Sequence, residues 1–312
     1  MINFRYHVVS LTAVFLALAI GLVVGTAALN GPLVDDLNDR VNGLSNHNNQ
    51  LREQIDNLEK EVNSQEHFAV EVAPHVLAGQ LAERRVAVVS LPAANKYADP
   101  VVEALTTAGA KVVARVNIQD KMTDPANKAE LADLAHNAPA SVGTLPRNGE
   151  GVETSGALLA AVLMQMTPAV PAVDRDKVLA TYQDKGYISV DGQIGEPAEA
   201  VVVIAGTPYV DRDATEKNEA MVTVVAQFDT AAPIVLAGTG VAGEGNTVAE
   251  VRRDPALNKT ISTVDNVQTA QGRIATVMAL AEQLRFAALP DAQTKAGHYG
   301  NDADTLLPKR SS

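Results

Sequence analysis

The stretch VAVVSLPAANKYADPVVEALTTAGAKVVARV, residues 86–116, decides the fold class. Val86–Leu91 is a short apolar run of strand type. Tyr97–Ala108 has a helical period and stops at Gly109, and Lys111–Val116 is strand-like again. Two strands separated by a helix make a βαβ unit, because a parallel pair needs a crossover of that length. Further along, helical patterns are predicted at 124–136, 154–166, 174–185 and 213–227, with a final helix at Ala270–Arg285. Strands are predicted at Tyr187–Val190, Ala200–Ala205 and Pro233–Ala237. This alternation predicts a three-layer α/β/α domain with a mainly parallel sheet over residues 84–288. Pro139–Gly151 reads as an exposed loop, and 289–312 as a flexible tail.

Toward the N-terminus, Val8–Leu29 carries no charge, and its polar residues Ser10, Thr12 and Thr26 are all small. About twenty apolar residues at ~1.5 Å each cross a hydrocarbon core of roughly 30 Å. A soluble core helix would show a polar face, and this segment has none. A cleavable signal peptide has an apolar stretch of only about 7–15 residues, although Gly25–Ala28 would suit a peptidase. Either way the chain that follows is exported. The expectation is a single transmembrane helix at 8–29, a cytoplasmic lead at 1–7 and an extracytoplasmic bulk in the cell envelope. The placement of Arg5 before the span and of Arg40 well after it agrees with that orientation. Ala17, Gly21 and Gly25 recur every four residues, a spacing that lets two helices approach closely, although glycine is also common in membrane helices.

Beyond Gly31–Pro32 the composition turns polar, and residues 33–70 read as a stalk. Leu37, Leu44, Leu51 and Leu58 fall at one seam position, with Val41, Asn48, Ile55 and Val62 at its partner position. Four heptads of this kind predict a coiled coil in which Asn48 fixes register at some cost in stability. Gly43 and the run Ser45–Asn49 weaken the seam, and the strand number stays open. The competing reading is a lone amphipathic helix folded onto the domain. Span and stalk together predict a homo-oligomer attached to a membrane through Val8–Leu29.

Composition narrows the function. Lys and Arg total 25 against 37 Asp and Glu, a net charge of −12, which suits no nucleic-acid partner. With no cysteine there is no disulfide, thiolate zinc site, iron–sulfur cluster or catalytic thiol. Gly238-Thr239-Gly240-Val241-Ala242-Gly243 matches GxGxxG in letters and follows the last strand read from the sequence. A dinucleotide site needs a helix opening at its third glycine, and Glu244-Gly245-Asn246 reads as loop. Histidines at 7, 47, 67, 75, 136 and 298 are scattered, and no GxSxG or HExxH occurs. Met164 and Met166 form a single MxM in a predicted helix, where alternate residues diverge by about 200°. Core packing is the better reading than a Cu(I) ligand pair. No catalytic, cofactor or metal residue is assigned, and the chain is expected not to be an enzyme.

The opening MINFRYHVVSLTAVFLALAIGLVVGTAAL resembles the start of the actinobacterial family named for the mycobacterial copper transport protein B. The coiled segment, the strand RRVAVVSLP at 84–92, Ser262–Asn266, the run from Gly272 to Leu284 and Gly297-His298-Tyr299-Gly300 fit the same family in the same order. The resemblance implies an envelope protein that keeps intracellular copper low by efflux, with copper as its only implied metal. It also implies relatives acting in envelope assembly and cell division, alongside a partner that regulates peptidoglycan hydrolases. An envelope scaffold that docks such a partner is therefore the alternative function. The family description as an outer-envelope channel finds little physical support here, since one helix encloses no pore.

Overall fold

The computed structural model describes residues 4–146, 150–289 and 295–308. They divide into two compact units, one up to Gln65 and one from Glu66 onward. The first is helical throughout. Helix α1 is assigned from Phe4–Leu77, and its turns from Glu66 belong to the second unit. In the first unit, Phe4–Ala27 is long and apolar enough to cross a membrane, with a mean hydropathy of 2.6 and none of it buried.

In the second unit the segment read first forms β1 (Arg85–Ser90), α2 (Ala98–Thr107) and β2 (Lys111–Ile118), with β1 and β2 parallel. Helix α2 ends where Gly109 takes φ +86°, the left-handed position that stops helices. There follow α3 (Asp120–Thr123), α4 (Lys128–His136), α5 (Gly151–Leu163), α6 (Ala172–Asp184) and β3 (Ile188–Val190). The chain continues through β4 (Ala200–Ile204), α7 (Ala214–Asp229), β5 (Ile234–Ala237), α8 (Thr247–Arg253), β6 (Ser262–Val264), α9 (Ala270–Ala287) and β7 (His298–Tyr299). The sheet order is β3-β2-β1-β4-β5-β6-β7, parallel except for β3 against β2.

Strands β4 and β5 are buried at every position, as expected of parallel strands covered on both faces. Side chains of β1 alternate between two cores. Ala87 and Val89 pack with residues of α5, α7 and α8, whereas Val86 and Val88 pack with α2, α9 and the end of α1. The fold is thus a three-layer α/β/α sandwich. Ala69 and Leu77 of α1 lie in the second core, so the folded unit takes in residues well before 84 and part of the segment read as stalk.

Three further expectations change. The helix read at 154–166 runs from Gly151–Leu163; Met164 is extended and bridges Ala198, so the two methionines do not sit on a helix. Pro233–Ala237 is not the last strand, because β6 and β7 follow it; at two and three residues they are too short to show a period. Residues 295–308 are not a loose tail: β7 extends the sheet, and Tyr299 bridges Thr305. Pro139–Gly151 includes a single 3-10 turn, Ala140–Val142, and the first residue of α5. Its residues 147–149 fall outside the described set, as do 290–294 and 309–312 of the tail.

Candidate functional site

Strand order reverses between β1 and β4, the place where doubly wound sheets hold ligands beyond the strand ends. Here the two chain segments leaving these strands approach closely at Gly206. A Cβ on Gly206 would lie 2.7 Å from the Ala93 carbonyl carbon and 2.9 Å from the Pro92 oxygen. Ala93 adopts φ +63°, an uncommon conformation for a residue with a Cβ. The glycine run 238–243 does not open a helix at Gly243: α8 begins at Thr247, with Asn246 capping it by accepting from the Ala249 amide. The dinucleotide geometry is therefore not met.

The richest polar cluster lies at the far edge of the sheet. Asp265, directly after β6, is fully buried at its side chain and pairs with Arg252 of α8 at 2.9 Å. Its two oxygens also accept from the amides of Asn301 (2.7 Å) and Asp302 (3.1 Å). Arg252 donates further to Thr263 Oγ1, the Tyr299 carbonyl and the Asp302 carbonyl. His298 Nδ1 lies 2.9 Å from Thr263 Oγ1. Burial, with the nearby Arg252 charge, holds the His298 imidazolium below its ordinary pKa. Burial and the hydrogen bond to Glu282 push the Tyr299 phenol up. Gly300 takes φ +120°, and a Cβ there would overlap Asp265 Oδ1.

A second cluster caps α9. Thr269 accepts from the Gly272 amide, and the Glu66 carboxylate accepts from the Ala270 amide through both oxygens at 2.9 Å. Arg273 binds the same carboxylate at 3.1 Å. A carboxylate at a helix N-terminus meets free N–H groups and a favourable dipole. The fold thus brings Ser262–Asn266, Gly272-Arg273 and Gly297–Gly300 to the β6–α9–β7 edge. These are among the stretches that carry the family resemblance, and their roles here are capping and pairing. Sequence reading found the stretches but not Arg252 or Glu66, which bear no local signature.

A cleft of about 840 Å³ lies between α7 and α8 and the glycine loop. Asp211, Glu219, Glu244, Glu250 and Asp254 line it with Tyr209, while Val210 beside them is 93% exposed. Asn218 clamps the Tyr209 backbone by accepting from its amide and donating to its carbonyl. Burial and the Asp120 carboxylate raise the pKa of the Tyr209 phenol.

The residues expected to mediate oligomerisation all lie on α1. Ala17, Gly21 and Gly25 are on the apolar span, and a Cβ added at either glycine would meet nothing. Leu37, Val41, Leu44, Leu51, Ile55, Leu58 and Val62 are 44–72% exposed, and Asn48 is exposed among them. Helical periodicity places them on one stripe. Among the described residues, no group of three or more His, Asp or Glu is placed to hold a metal.

The fold defines a class: an α/β/α sandwich on a chain that also carries an N-terminal helix long and apolar enough for a membrane. Over residues 1–308 the chain matches the family described as "Copper transport outer membrane protein, MctB", and it belongs to that family. It is similar to proteins named copper transporter MctB from Mycobacterium tuberculosis and Mycobacterium bovis. Each is 28% identical over 315 residues, covering 96% of both chains. The protein of that name from Mycobacterium leprae is 28% identical over 302 residues, covering 91% of this chain and 93% of its own.

Proposed function

We propose that this chain serves copper efflux and homeostasis at the cell envelope as a non-catalytic, membrane-anchored protein. Val8–Leu29 crosses the membrane once, with residues 1–7 inside and the folded unit outside the cytoplasm. The observation that carries the reading is the family match over residues 1–308 on a chain with an N-terminal helix long and apolar enough to cross a membrane. The sheet has edge strands β3 and β7 and is not a closed barrel, which favours anchoring by the helix over an outer-membrane β-barrel.

Copper is the cargo here. Without cysteine, and with Met164 buried in the core, the chain offers few soft ligands. Its contribution is to what assembles around it, not to chelation within one domain. The test is total cell copper at fixed external copper, with and without the gene. Copper should rise on deletion and return when the gene is restored; unchanged copper content and copper sensitivity would overturn the reading.

A second reading is an envelope scaffold docking a cell-division or peptidoglycan-hydrolase regulator, for which the exposed Val210 at the cleft is the place to probe. A photocrosslinker at Val210 in intact cells should then trap one envelope protein. Absence of any adduct would remove this reading.

A further inference from the structure

We infer that residues 34–65 pair with the same segment of a second copy of this chain, as a parallel, in-register, two-stranded coiled coil locked at Asn48. The argument starts from spacing. Leu37 to Val41 is four residues and Val41 to Leu44 is three, and the later steps alternate four and three in the same way. In a heptad the a-to-d step is three and the d-to-a step is four, so the leucines occupy d and Val41, Asn48, Ile55 and Val62 occupy a. β-Branched residues at a with leucine at d fit the geometry of two strands. One asparagine at a specifies both register and strand number, because its amide is satisfied by its own counterpart in an aligned dimer.

The structure supplies what the pattern alone left open. Helix α1 continues unbroken through Gly43 and the polar run Ser45–Asn49, so the heptad phase is not interrupted at its weakest point. The seven apolar seam residues are exposed along that one continuous helix. The d position after Val62 is Gln65, where the seam loses its apolar character and the first unit ends.

Orientation rests on the membrane topology proposed above: a span anchored in one membrane enters it at the same end in both copies and starts the seams at one height. Flanking g and e positions on adjacent chains would pair Arg40 with Ser45, His47 with Arg52 and Gln54 with Glu59. None of these is an opposite-charge pair, so specificity rests on Asn48 and the shared anchor.

The test uses the full chain in detergent, which has no native cysteine. Single variants Leu37→Cys and Leu58→Cys, near the two ends of the seam, should each give a covalent two-chain species on mild oxidation. Glu53→Cys, on the outer f position, should give little. Light scattering should show two chains, shifting to larger or mixed assemblies for Asn48→Ile. Cross-linking absent at both ends while two chains persist would overturn the parallel register. A three-chain mass would overturn the strand number, and equal cross-linking at Glu53→Cys would overturn the seam. Leu51→Glu combined with Ile55→Glu should abolish cross-linking at Leu37→Cys while the folded unit keeps its thermal transition; cross-linking that survives these charges would also overturn the pairing.

Discussion

Replacing Asp265 by alanine tests the buried cluster at the sheet edge. The substitution leaves the Arg252 guanidinium, whose side chain is 14% exposed, without its only carboxylate in the cluster. It also strips the Asn301 and Asp302 amides of their acceptor. Removing one partner of a buried pair costs about 3–5 kcal/mol. Arg252 keeps three neutral acceptors, on Thr263, Tyr299 and Asp302, which argues for the lower end, about 3 kcal/mol. For a unit of this size each kcal/mol moves Tm by roughly 2–4 °C, so a fall of roughly 6–12 °C is expected. Circular dichroism melts of the full chain in detergent measure it. Limited proteolysis should show earlier cleavage between Lys295 and Thr305, because the cluster ties that segment to β6. The double variant with Arg252→Met should regain part of the loss, since no unpaired cation remains. A Tm within about 2 °C of the parent, with unchanged proteolysis, would refute the claim that this pair holds the C-terminal segment.

Gly300→Ala should lose about 1–3 kcal/mol, because φ +120° and the Asp265 contact both exclude a Cβ; chemical denaturation reads this directly. Glu66→Ala should cost about 1 kcal/mol through the lost α9 cap, visible as earlier hydrogen exchange in the first turn of α9. The pKa of His298 in the folded state is lowered, so the unfolded chain takes up its proton first as pH falls. Stability is fully present above the ordinary histidine pKa and declines as pH falls from there through the depressed folded value; His298→Gln should flatten that slope in melts across pH 5–8. Phe228→Ala should cost about 3–5 kcal/mol through an apolar cavity beneath β5, without altering cross-linking in the α1 seam.

Local periodicity determined much of this protein in advance. The charge-free run at Val8–Leu29, the heptads from Leu37 to Val62 and the strand–helix–strand unit at 86–116 each repeat within a few residues. Such local patterns are set by the backbone geometry of the helix or strand itself, so a helix spans the first two stretches and the strand–helix–strand unit stands near where the sequence puts it. Strands β6 and β7 and helix α8 were not legible, being too short to display a period. The Arg252–Asp265–Tyr299 cluster and the Glu66 cap on Ala270 were not legible either. Glu66 and Ala270 are 204 residues apart, and no pattern within a segment encodes such a pairing. Tertiary structure alone decided that Gly206 packs closely against Ala93, that Met164 leaves its helix, and that His298–Tyr299 join the sheet. The physical reason is common to all of them. A buried polar group is chosen for the partner that the fold brings to it, and that partner becomes visible only once the chain has folded.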